Sequence, residues 1–355
     1  MPDWTRSMQQ SFEFMTVDPV TWGDKEKLTN AESCSITRDL DDETKGSATI
    51  KCPDDLSDKY VRVYLVTTQD GVVDRIPLGT HIYQTPSESF NGRRKTMDQD
   101  GYTALLELKE NPPPIGYSIL SGTNIMEIAS RITADNVRVP VVPAIGYSNL
   151  IDNFVANTDD TWLTFLTDLI DNDDYEFDLD ELGRIIFSPY VNVEEMMPIW
   201  EYSDDDSSIL YPEIETQRDL YSVPNVVEVV YSPQDGDPMT AIARNDDPDS
   251  VTSTVSRGRE ITYRETSPNV VEGLTQAQLD EYAEKLLKDL SSIEYQIHYT
   301  HGYCPVRVGD CVLINYQRAG FNRVKAKVIR QVIKCEKGCS VEEVAVFTKK
   351  LYGGD

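Results

Sequence analysis

Between Ser33 and Leu78 apolar and polar positions alternate in short runs: Cys34 to Arg38, Ser47 to Cys52, Tyr60 to Thr67 and Val72 to Leu78. That period puts one face of a strand inward and predicts four strands. The last two are joined through Gln69-Asp70-Gly71, whose Asp-Gly pair tolerates the positive φ of a hairpin reversal. Thr80 to Gln84 and Arg94 to Met97 flank Asn91-Gly92, a second hairpin signal of the same kind. The first hundred residues are expected to form one antiparallel sheet or barrel.

Pro112-Pro113-Pro114 removes three backbone donors and fixes three φ angles, which suits a stiff connection and places a boundary there. Beyond it, Asn124 is a candidate N-cap with Glu127 three residues on, and Ile125, Ile128, Ala129 and Ile132 share a helical face. Trp162, Leu163, Phe165, Leu166, Leu169 and Ile170 form a second stripe at helical spacing. Tyr175 to Leu179 and Arg184 to Phe187 then predict a small hairpin around Leu182-Gly183, so the middle of the chain reads as α+β.

After the polar loop Asp204-Asp205-Asp206-Ser207-Ser208, Val226 to Tyr231 reads as a strand rich in β-branched residues. Asn245 to Ser250 is a second acidic loop, and Glu260 to Tyr263 a further strand. One helix interrupts this β pattern. Thr275 caps it with Gln278 at the third helical position, and Leu279, Tyr282, Ala283, Leu286, Leu287 and Leu290 face inward. Strands are predicted again at Glu294 to Thr300, Cys311 to Tyr316, Val324 to Lys334 and Val341 to Thr348.

Charge narrows the function. Sixty-one acidic against 33 basic residues give a net charge of -28, which repels phosphate backbones and anionic lipid alike. Specific nucleic-acid binding is therefore not expected. Neither is stable membrane insertion, since no apolar stretch reaches spanning length and no leader pattern opens the chain. The six cysteines show no compact disulfide framework, so free thiols of a reducing compartment are expected.

Candidate chemistry fails on spacing. A calcium loop beginning at Asp171 would have Asp173 in place, but Tyr175 and Glu176 stand where a ligand and the turn glycine belong. One beginning at Asp178 places Gly183 but ends on Pro189. The three histidines are His81, His298 and His301, and the run from His298 to Cys304 has the outline of a metal-ligand motif. Residues three apart on a strand face opposite ways, however, and no second ligand pair sits at a zinc spacing. Cys335 and Cys339 could close a short disulfide or supply two zinc thiolates, but Lys337-Gly338 between them also reads as a hairpin turn, which is preferred. A glycosidase acid pair is not something linear spacing can show. No catalytic, cofactor or metal residues are assigned, no cofactor is expected, and the protein is expected not to be an enzyme.

The order of features resembles the hub family of phage tails, comprising baseplate hubs of contractile phages and related tail-tip proteins of long-tailed phages. In the first part the resemblance rests on Val17-Asp18-Pro19-Val20-Thr21-Trp22, Ser47-Ala48-Thr49-Ile50 and Tyr60-Val61-Arg62-Val63-Tyr64. In the last it rests on Ala283-Glu284-Lys285-Leu286-Leu287 and on Val306-Arg307-Val308-Gly309-Asp310-Cys311-Val312, where such hubs carry a Val-Gly-Asp turn before a strand pair. Gly309-Asp310 turns the chain into a strand, so this motif is architectural.

The resemblance implies a β-dominated α+β multidomain protein: a tail-tube-like antiparallel β-barrel over residues 1–112, a small α+β domain over 113–200, and a second barrel over 201–355 with an inserted helix at 275–290. It implies a homotrimer whose six barrels make a pseudo-hexameric ring around the DNA channel. This ring would join the tail tube or distal tail protein to the spike or tail fibre, with the tape-measure protein a further partner. The place would be the distal end of the virion tail, after assembly in the host cytoplasm. The sequence ends at Asp355 without the C-terminal extension of larger relatives, so a lytic role is expected to belong to another protein. The acidic charge would either line the channel and repel DNA or form a soluble surface. A carbohydrate-binding adhesin and a cell-wall hydrolase are the rival readings. The loop tips at Asp70-Gly71, Asn91-Gly92 and Gly309-Asp310 are the candidate docking points.

Overall fold

The computed structural model describes residues 2–350 apart from 91, 94, 219, 221–222, 233–237, 267 and 269–274. The chain forms two compact units, Met1–Ile214 with Tyr299–Ala345, and Glu215–His298 with Val346–Asp355.

The first unit opens with β1 (Gln9–Val17), β2 (Asp24–Leu28), β3 (Ser33–Asp39), β4 (Gly46–Lys51), β5 (Lys59–Gln69), β6 (Val72–Phe90) and β7 (Lys95–Tyr102). The four strands predicted before residue 78 are present, but Thr80 to Gln84 is not a separate strand. Val72 to Phe90 is continuous, with Val63 opposite Gly79 and Tyr64 opposite Pro77. Leu78 is thus the extra residue of a β-bulge, a place where Pro and Gly are tolerated and the strand bends without ending. The freed Leu78 carbonyl accepts from Arg38 at 2.6 Å. Of the second predicted hairpin, Asn91 and Arg94 lie outside the described residues; Phe90 pairs with Lys95.

Next come α1 (Leu106–Lys109), β8 (Ser118–Ile119), α2 (Ile125–Asn136), β9 (Phe154–Val155), α3 (Trp162–Asp171), and the hairpin of β10 (Tyr175–Leu179) with β11 (Ile185–Pro189). The Asn124 side chain accepts from the Glu127 N–H, as the cap pattern predicted. Trp162, Phe165, Leu166 and Leu169 of α3 join Ile128 and Ile132 of α2 in one core, which also takes in Tyr60 and Ile82 from the sheet. Each such side chain contributes about 1.5–3 kcal/mol by leaving water.

After β12 (Trp200–Ser203) and β13 (Leu210–Arg218) the chain enters the second unit with β14 (Val226–Tyr231), β15 (Met239–Arg244), α4 (Thr254–Arg257), β16 (Thr262–Glu265) and α5 (Gln276–Leu290). Val227, Val229, Ala241 and Ala243 pack against Leu279, Ala283 and Leu287 of α5, whose N-terminus closes in a Thr275–Gln278 capping box. The strand expected at Glu260 to Tyr263 starts two residues later and pairs in parallel with β14.

The chain ends through β17 (Ser292–Gly302), β18 (Cys311–Asn315), β19 (Val324–Lys334) and β20 (Ser340–Lys350); the division between units falls inside β13, β17 and β20. The main sheet runs β13-β17-β20-β19-β3-β4-β7-β6-β5-β1-β2, with β18 joined to β19 and β12 to β18. The central junction is β19 on β3, with Val332 opposite Thr37 and Ile333 opposite Ile36. Strands from both ends of the sequence therefore fill one core, in which Ile36, Ile50, Val63 and Leu78 meet Ile333 and Val341. The protein is β-dominated α+β, the fold class expected from the sequence.

Candidate assembly surfaces and a sealed polar core

The β10–β11 hairpin is fixed by its backbone. Its tip carbonyls at Glu181 and Leu182 point at the sheet, where buried acceptors need donors. Leu182 accepts from the Trp22 indole at 2.8 Å and from Arg62 at 3.0 Å, and Glu181 from the Thr80 hydroxyl at 3.3 Å. Arg307 donates to the Leu179 carbonyl at 2.5 Å and lies 2.7 Å from the Glu181 carboxylate. Arg62 is itself held by Asp24 at 3.0 Å. The Val17 to Trp22 segment that carried the family resemblance thus ends in a positioning contact.

A second polar cluster is closed to solvent. Alternation along β17 buries Tyr299 and His301, and β20 and β19 bring Glu343 and Gln331 to them. His301 Nε2 is 3.2 Å from Glu343 Oε2, and Nδ1 is 2.7 Å from the Gly302 carbonyl. Gln331 donates to Glu343 at 2.6 Å, Tyr202 at 3.3 Å, and Tyr299 through a short hydrogen bond. Burial, the largest single influence, would lower the His301 pKa, but the Glu343 charge together with hydrogen bonds to Cys304 and Glu343 outweighs it and raises the imidazole well above its ordinary range. Burial likewise opposes the Glu343 charge, yet His301 and the donors around it hold the carboxyl below the usual carboxylate range. Both ring nitrogens face acceptors, as a doubly protonated imidazolium requires. Cys304 Sγ lies 3.9 Å from His301 Nδ1 and 3.3 Å from the Tyr202 hydroxyl. This cysteine–histidine–glutamate set has the ingredients of a nucleophile and its base, but Cys304, His301 and Glu343 are each no more than 1% exposed. No substrate atom can reach it in this state.

The other candidates are dispersed. His81 is buried on β6, and burial, helped by the Arg38 charge, lowers it to about 3, so it is neutral. His298 is half-buried. Asp171 ends α3, while Asp173 and Asp174 turn into β10. All six cysteines are free and buried, and Lys337-Gly338 forms the turn between β19 and β20. Among the described residues no three histidine, cysteine or acidic side chains are grouped to hold a metal ion.

Of the loop tips, Asp70-Gly71 is exposed, with φ of 52° and 82° as a tight hairpin requires. Gly309-Asp310 is half-buried instead. Gly309 donates to the Val328 carbonyl at 2.8 Å, and the Asp310 carboxylate accepts from the Arg307 N–H at 2.7 Å, so this turn is used inside the fold.

Three exposed features were not read from the sequence. One is an apolar ribbon. Residues 118–125 run antiparallel to 146–155, with Ser118 opposite Val155 and the Gly122 N–H on the Leu150 carbonyl at 2.7 Å. On it Leu120, Tyr147, Ile151 and Val155 are exposed, Tyr147 and Ile151 at 92% each. The second is a short arm, the far ends of β6 and β7, where residues 89–90 pair with 95–96 and Phe90 is 69% exposed. The third is exposed sheet edge: among the described residues β2 and β13 end the strand order of the main sheet. The available signal was apolar residues standing among Ser, Asn, Pro and Gly without a period, as in Ile145, Tyr147 and Ile151.

No protein-family model matches the sequence, and no curated protein is similar to it. Solved structures do match. The chain is similar to a tail protein from Neisseria meningitidis MC58, with a TM-score of 0.62 and 13% identity over 95% of this chain and 97% of that one. It is equally similar to the 43 kDa tail protein of prophage MuSo2 from Shewanella oneidensis, with a TM-score of 0.62 and 11% identity over 95% of this chain and 98% of that one. At such identities the likeness is one of fold. Over 95% of its length, the chain has the fold of these two phage tail proteins.

Proposed function

We propose that the protein is a structural component of a bacteriophage tail and acts as a hub. Three copies would form a pseudo-hexameric ring around the DNA channel, joining the tail tube or distal tail protein to the spike or fibre assembly. The observation that carries the reading is the match to two phage tail proteins over 95% of this chain.

Three features support assembly. A two-stranded arm is barely stable alone in water, open sheet edges invite pairing with another chain, and an exposed apolar ribbon is suited to burial. Rings that close on themselves cover such edges. The reading is non-catalytic, which the sealing of the cysteine–histidine–glutamate set favours. The division at about residues 112 and 200, with a tube-like barrel on each side of the α+β segment, belongs to the same proposal, as does the place at the distal tip of the virion tail. So does an acidic lumen that lets DNA slide; a ring whose channel is basic would refute that part.

Light scattering on the purified protein, alone and mixed with neighbouring tail proteins, tests the hub. A trimer, or a monomer that becomes a ring on mixing, supports it. A persistent monomer that binds or cleaves cell-wall glycans would replace it with an adhesin or a hydrolase.

A further inference from the structure

Cys34 and Cys335 meet where β3 joins β19. The register that sets Lys334 opposite Ser35 brings Cys335 to Cys34 at the next step, and the Cys335 N–H donates to the Cys34 carbonyl at 2.8 Å. Opposed residues of an antiparallel pair carry their side chains on one face, with Cα atoms about 5.5 Å apart when hydrogen-bonded. That separation lies inside the roughly 4.4–6.8 Å that a disulfide bridges. Both side chains enter the same core. Cys339 shares this core, but it is Cys34 whose backbone carbonyl the Cys335 N–H meets across the strand pair.

We propose that Cys34 and Cys335 are a latent disulfide pair, closed when the folded protein meets a small-molecule disulfide. The thiolate of one cysteine attacks a sulfur of the reagent, forming a mixed disulfide and releasing one small thiol. The second thiolate then attacks the protein sulfur, forming the Cys34–Cys335 bond and releasing the other small thiol. The protein loses two electrons and two protons, and the reagent gains them as two thiols.

The Cys34 and Cys335 residues are only 6% and 3% exposed, so the reagent enters through local opening of the strand end. The bond, once made, closes a loop of about 300 residues and removes that freedom from the unfolded chain. It also locks the β3–β19 junction on which the main core depends.

The test uses the full chain and oxidised glutathione. Peptide mapping without reductant is expected to find Cys34 linked to Cys335, with a mass loss of about 2 Da and a melting temperature raised by about 5–10 °C. Cys34→Ser should abolish the shift and Cys52→Ser should keep it. Mapping on the unaltered chain decides the matter even if a variant folds poorly. A Cys335–Cys339 linkage, glutathione adducts alone, or six titratable thiols after incubation at a temperature where iodoacetamide alkylates Cys34 and Cys335, would each overturn the proposal. None of these outcomes bears on the hub reading, which has its own test.

Discussion

His301 Nε2 lies 3.2 Å from Glu343 Oε2 with both side chains fully excluded from solvent. Removing one partner of such a pair leaves an uncompensated buried charge and costs about 3–5 kcal/mol. Glu343→Leu is expected to lose that much, since Tyr202, Tyr299 and Gln331 lose their acceptor with it. The pH dependence follows from the two shifts. The raised His301 contributes fully below its ordinary 6.5 and loses its contribution as pH climbs through about 10. The lowered Glu343 contributes fully above its ordinary 4.5 and loses it as pH falls through a still lower value. The stability gap between the native chain and His301→Gln, read from urea midpoints, should be widest between pH 4.5 and 6.5 and shrink on both sides.

Gly183 is at φ +74°, and a Cβ there would stand 2.7 Å from Thr80 Cβ. Gly183→Ala combines backbone strain with a clash inside the docked hairpin and is expected to cost about 2–3 kcal/mol. Hydrogen exchange should show the loss at the amides of β10 and β11 before those of β3 and β4. Uniform destabilisation would argue against a docked tip.

In the second unit, the Thr275 side chain accepts from the Gln278 N–H. Thr275→Ala should cost about 1 kcal/mol, and Leu287→Ala, a side chain 1% exposed, about 2–5 kcal/mol. Denaturant titration of the two variants checks the order of the effects.

Tyr147→Ser with Ile151→Asp removes two ribbon side chains that are each 92% exposed. Stability is expected to move by less than about 0.5 kcal/mol per substitution, while association with the partner that the ribbon meets falls at least tenfold in light scattering or sedimentation. Unchanged assembly would show that the ribbon lies outside the interface.

The legible parts of this fold were those whose signal is local. The Asn124 and Thr275 caps, the apolar stripe of α3 and the β-branched run of β14 each carry their own evidence within a few residues. What was missed has its cause elsewhere in space. The charged Asp-Lys-Glu-Lys of β2 shows no alternation because an edge strand protects itself with charge. Gly79 fell in the gap between the strands expected at Val72 to Leu78 and Thr80 to Gln84, but it flanks a bulge whose carbonyl is satisfied by Arg38, 40 residues away in sequence. The parallel pairing of β12 with β18 joins Trp200 to Val312, a distance no window of sequence spans. His301 and Cys304 were visible as chemistry-bearing residues; Glu343 and Tyr202, which decide that the site is sealed, were not.

The pairing of β3 with β19 also sets a schedule for synthesis. Residue 36 leaves the ribosome long before residue 333, its partner across the ladder, and translation at about 5–20 residues per second separates them by tens of seconds. Throughout that interval the inner edge of β3 has no native strand to pair with, and the apolar face shared by Ile36, Ile50 and Val63 stays open on one side. The nascent chain is then a template for neighbours on the same polysome, and its yield in a host is expected to depend on holding factors and low temperature more than on the stability of the finished protein.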